Sequence, residues 1–149
     1  MLRNILSPFC CLFVCASAMA QFPNIKLDEQ GQGNPFVCEP SIAINPRNPQ
    51  NIVAASVLNN IYVTSNGGLA WKKIKVQSPM GVYGDPALIA DDKDTFYFFH
   101  LSDPTQGSGG YDSEKLDRIV VQESADGGLT WSEGQGIGLV LPCHRQSGG

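Results

Sequence analysis

A chain of 149 residues with 42% hydrophobic and 16% charged residues holds one globular domain at most, and its composition does not favour disorder. The net charge is −4, and the one basic cluster is Lys72, Lys73 and Lys75, which leaves no electrostatic footprint for nucleic acid. Sixteen Gly and ten Pro fall between short apolar runs, the texture of many short strands joined by turns.

Residues 1–20 read as a secretory signal. Arg3 supplies the positive start, Ile5 to Val14 the apolar core, and Ala18-Met19-Ala20 the small residues before cleavage. The apolar run is too short to span a membrane, which takes roughly 20 residues. Cleavage after Ala20 implies a secreted, periplasmic or surface destination and removes Cys10, Cys11 and Cys15. Cys38 and Cys143 then remain; two thiols are the default, and a disulfide between them is the alternative.

Residues 21–37 form an extended lead-in. Strands are expected at 41–45, 51–57, 60–64 and 70–76, with a polar turn at Ser65-Asn66-Gly67-Gly68 between the last two. The pattern then restarts with strands at 85–90, 95–101 and 118–122, and a Gly/Ser-rich excursion from Ser102 to Lys115 interrupts it. No clear fourth strand follows in the second unit. Residues 139–149 resemble nothing in the first unit. Two tandem units of antiparallel strands, without helical periodicity, are the signature of a propeller or similar repeat array.

Thr64-Ser-Asn66-Gly-Gly68-Leu-Ala70-Trp71 aligns with Ser124-Ala-Asp126-Gly-Gly128-Leu-Thr130-Trp131. The second copy fits Ser-x-Asp-x-Gly-x-Thr-Trp throughout; the first carries Thr64, Asn66 and Ala70 in place of Ser, Asp and Thr. This pattern resembles the Asp box, or BNR repeat, of the sialidase-like β-propellers. The resemblance covers about residues 38–138. It implies an all-β fold of four-stranded antiparallel blades, two of the six that close such a propeller. Within the box the hydroxyl and carboxylate are expected to accept backbone N–H bonds, the glycines to take positive φ, and the Trp to cover the turn. The box is a structural clamp: Asp126 is read as a turn former rather than a catalytic group.

The resemblance also implies an exported protein related to glycoside hydrolases. A sialidase of this kind uses three arginines on the substrate carboxylate, a Tyr–Glu nucleophile pair and an Asp general acid. The Arg-Ile-Pro motif that opens the first blade is replaced here by Val37-Cys38-Glu39-Pro40. Arg47, Arg118 and Arg145 lack the family context, and the nucleophile pair belongs to later blades. Catalytic residues are therefore unassigned and activity from this chain alone is not expected. A non-catalytic propeller that binds carbohydrate or protein is the alternative.

Glu39 and Asp85 each precede a Pro at the entrance of an innermost strand, with Tyr83 close by. These three are the candidate central-site residues for a glycan ligand. A cation site and a purely local strand cap are the competing readings of the two acids, and the cap is the default. Asp91, Asp92 and Asp94 suit a solvated turn better than a Ca²⁺ loop, whose later ligands are missing. His100 closes an aromatic strand and is expected to be packed; His144 sits in the tail. No metal or cofactor is expected. Two blades leave open edges and faces, so missing blades or self-association are expected to complete the ring.

Overall fold

The computed structural model describes residues 24–28, 37–103 and 118–137. The fold is all-β, with two four-stranded antiparallel sheets and no helix among the described residues. The first sheet runs β1 (Ser41–Ile44), β2 (Ile52–Ser56), β3 (Asn60–Thr64), β4 (Lys72–Lys75). The second runs β5 (Gly84–Ala90), β6 (Phe96–Leu101), β7 (Ile119–Ser124), β8 (Gln135–Ile137). Each sheet is a meander in which consecutive strands pair.

Seven strands fall where the alternation and turn residues put them, with ends shifted by one or two residues. The eighth corrects the expectation that the second unit lacks a fourth strand: Gln135 and Ile137 pair with Val121 and Ile119. All three residues of β8 are exposed, and Gly134 and Gly136 interrupt any pattern. A strand held by its backbone ladder alone leaves no hydrophobic signature to read.

The core lies between the two sheets. Alternation in the first sheet directs Ala43, Val53, Ala55, Ile61 and Val63 to one face, where they meet Leu88, Phe96 and Phe98 of the second. Phe96 and Phe98 are fully buried, and burying such a side chain stabilises by about 1.5–3 kcal/mol. Trp131 closes the cluster edge-on to Phe98, their rings 5.9 Å apart.

The opposite faces are apolar and open. Ile42 and Ile44 stand out from the first sheet at 61% and 54% exposure, while Ile89, Ile119 and Ile137 stand out from the second. Part of the first sheet's outer face is covered by the 24–28 segment. There Tyr62 donates to Asp28 Oδ2 at 2.6 Å and Lys73 bridges to the same carboxylate. Burial, then the Asp28 carboxylate, push the Tyr62 phenol up to about 12.

Candidate functional site

The sheets bring the acids of the two strand entrances together. Glu39 and Asp85 both have φ of 52°, the left-handed region that non-glycine residues seldom occupy. In each case the following Pro already disfavours the right-handed helical region. At Asp85 the bend is a break in the β5–β6 register between Gly84 and Ala87, where β5 carries an extra residue. Such bulges re-aim side chains. Gly84 is needed for the approach: a Cβ there would lie 2.8 Å from Val57 Cγ1 of the first sheet.

The outcome is a contact between the Glu39 and Asp85 side chains in open solvent. That hydrogen-bonding contact, then the like charge of Asp85, hold the Glu39 carboxyl above its ordinary 4.5, opposed only in part by the Asp85 backbone N–H. A like charge beside a carboxyl disfavours its ionised form. Among the described residues no third His, Cys, Asp or Glu completes a metal-binding group with them, whereas Ca²⁺ takes about six to eight oxygens. Tyr83 lies beside this entrance: its backbone N–H donates to Leu101 O at 3.0 Å, and no described residue bonds its phenol.

At the other end of the sheets stand the two matched turns. In the second, Asp126 Oδ1 accepts from Ser124 Oγ and from the Leu129 and Thr130 N–H groups, all at 2.9 Å, and Oδ2 accepts from Thr130 Oγ1 at 2.6 Å. Burial pushes this carboxyl up, but the Thr130, Ser124 and Leu129 donors outweigh it and hold the group below its ordinary 3.8. Ser124 Oγ accepts from Gly128 N, and Trp131 Nε1 donates to Gly128 O at 3.0 Å.

The first turn repeats this plan with its altered residues. Asn66 Oδ1 accepts from Thr64 Oγ1 at 2.8 Å and Ala70 N at 3.0 Å; Thr64 Oγ1 accepts from Gly68 N, and Trp71 Nε1 donates to Gly68 O. The glycines take φ of 70° and 93° in the first turn, 79° and 96° in the second. The turns differ where Ala70 has no hydroxyl to match Thr130 and where the second atom of the Asn66 amide is a donor rather than an acceptor.

Polar side chains tie one sheet to the other. Asn51 Nδ2 donates to Thr64 O at 3.2 Å and to Gly127 O at 3.0 Å. Gln122 Nε2 donates to Gln77 O and Ser132 O, and its Oε1 faces His100 Nε2 at 3.1 Å. His100 is packed, at 1% exposure, with its ring 5.0 Å from that of Phe98 and Nδ1 at 2.9 Å from Leu101 O. Burial lowers its pKa despite those two acceptors. Asn51 and Gln122 were not singled out from sequence; a glutamine on the buried side of an Ile-Val-Val-Gln run was the available signal.

Between the matched turns opens a cleft of about 540 Å³. Asn48, Asn66, Trp71, Lys72, Asp94 and Leu129 line it. It lies at the β1–β2 turn end, remote along the strands from Glu39 and Asp85, and nothing in the sequence pattern pointed to it.

The acidic turn is occupied by its own backbone: Asp91 Oδ1 accepts from Lys93 N and Thr95 N, donors that hold its carboxyl below 3.8. Asp94 accepts from Asn45 Nδ2 at 2.9 Å and pairs with Arg47 at 3.5 Å. Cys38 is exposed. Its candidate partner Cys143, the signal at 1–20, the excursion at 104–117, and Arg145 and His144 in the tail lie outside the described residues. Among the described residues no helix is long and apolar enough to cross a membrane.

No protein-family model matches this chain, and no curated protein matches it.

Proposed function

We propose that the two sheets are blades of a sialidase-like Asp-box propeller, exported from the cell, whose centre binds glycan without cleaving it. The matched hydrogen-bond plan of the Thr64–Trp71 and Ser124–Trp131 turns, at one place in two equivalent sheets, carries this reading. The open apolar faces on both outer sides support it too, since a propeller blade is covered on each side by a neighbour. A repeat whose faces match in this way is completed by further blades or further copies.

Binding rather than hydrolysis is favoured by the acids themselves. A retaining glycosidase holds its two carboxyls about 5 Å apart, and an inverting one holds them wider still, so that the anomeric carbon fits between them. Glu39 and Asp85 stand in side-chain hydrogen-bonding contact instead. The carboxylate oxygens of the pair still offer acceptors to sugar hydroxyls. The full chain should therefore bind on a glycan array and leave a fluorogenic sialoside intact. Turnover of that sialoside would sink the binding-only reading, and a blank array would sink the glycan assignment.

A further inference from the structure

We propose that the cleft between the two matched turns is a second saccharide site, separate from the strand-entrance pair, taking one neutral pyranose ring. Its lining combines apolar groups, Val63, Trp71 and Leu129, with polar side chains. Small-ligand sites share this make-up: an aromatic or aliphatic base with a few directed polar groups, in a volume of about 300–1,000 Å³.

Of the three positions at which the first turn departs from the full Asp-box pattern, two line this cleft, Asn66 and Ala70. In the second turn the corresponding groups close on each other, Thr130 Oγ1 donating to Asp126 Oδ2. In the first turn that contact is gone. Asn66 keeps the turn with Oδ1 alone, and no described residue takes its Nδ2 donor. Asn48 is in the same position: its Oδ1 caps Gln50 N, and no described residue takes its Nδ2. Two amide donors and the Asp94 carboxylate around a half-exposed Trp71 present the alternation of donor, acceptor and flat apolar surface that a pyranose offers in return.

Charge sets the class of sugar. One cation, Lys72, and two carboxylates, Asp94 and Asp126, line the cleft, and Arg47 pairs with Asp94 at 3.5 Å. The lining holds no excess of positive charge, so an acidic sugar gains nothing over a neutral one.

The test uses the full chain, the methyl glycosides of glucose, galactose and mannose as probes, and glucuronic acid as the charged comparison. Trp71 and Trp131 are the two tryptophans of the chain, so titration can be followed by intrinsic fluorescence. At least one neutral glycoside should give a saturable change, and saturation-transfer NMR should mark the ring C–H protons that lie on Trp71. The double variant Asn66→Asp/Ala70→Thr gives the first turn the contacts of the second, so its melting temperature should hold or rise. Affinity should fall roughly threefold to tenfold, the worth of one hydrogen bond. Trp71 lines this cleft, remote from Glu39 and Asp85, so its signal separates the cleft from the entrance site. No saturable response, a response to glucuronic acid alone, or full affinity in the double variant would overturn the assignment.

Discussion

Asn51 and Gly127, 76 positions apart, are joined by a 3.0 Å hydrogen bond from the Asn51 side chain to the Gly127 carbonyl. The same amide also donates to Thr64 O, the residue that opens the first turn. One side chain thus locks the turn of its own sheet to the turn of the next. The two tight turns act as clasps between sheets as well as hairpins within them.

That clasp should be measurable. Asn51→Ala leaves two carbonyls without their donor and should cost about 1–3 kcal/mol in urea unfolding. Gly128→Ala should cost at least as much, because its Cβ would lie 2.5 Å from Val53 Cγ2 at a φ of 96°.

Gln122 should be harder to replace than any surface residue. Gln122→Leu removes the donor to Gln77 O and Ser132 O and the acceptor facing His100, all in a fully buried place. A loss of about 2–4 kcal/mol is expected by chemical denaturation, the range for stranding buried polar groups.

The second turn should confer acid sensitivity. Asp126 has a depressed folded pKa, so its contribution is present above the ordinary 3.8 and is lost as pH falls through the lower folded value. Asp126→Asn should flatten the acid limb of a melting-temperature profile below about pH 4. An unchanged profile would show that the carboxylate charge is immaterial to the turn.

Glu39 runs the other way. Its folded pKa is raised, so its favourable contribution is full below the ordinary 4.5 and disappears as pH rises through the folded value. Glu39→Gln should therefore be neutral or stabilising at pH 7 and lose that advantage at pH 4. A variant less stable than the native chain at pH 7 would contradict the like-charge contact.

How much of this was legible depended on where side chains, rather than backbone, set the structure. The aromatic run Phe96 to Phe99 announces β6; Asp126 and its glycines announce the turn. Gln135–Ile137 announces nothing, because only its main chain is engaged. The Pro after Glu39 and Asp85 marked both as strand entrances, but their meeting follows from two left-handed residues and a bulge that no spacing encodes. The cleft escaped notice for a related reason: Asn66 and Ala70 look like decay of a motif until the space beside them is seen.

The most direct test of a glycan-binding centre is calorimetric titration with the glycan that an array ranks first, comparing the native chain with Asp85→Asn. Sialoside turnover would be followed in the same samples. We expect saturable binding by the native chain, at least about tenfold weaker binding by the variant at an unchanged melting temperature, and no turnover by either. Equal affinity in the two proteins would contradict a role for the Glu39–Asp85 pair, and turnover abolished by Asp85→Asn would make the pair catalytic instead.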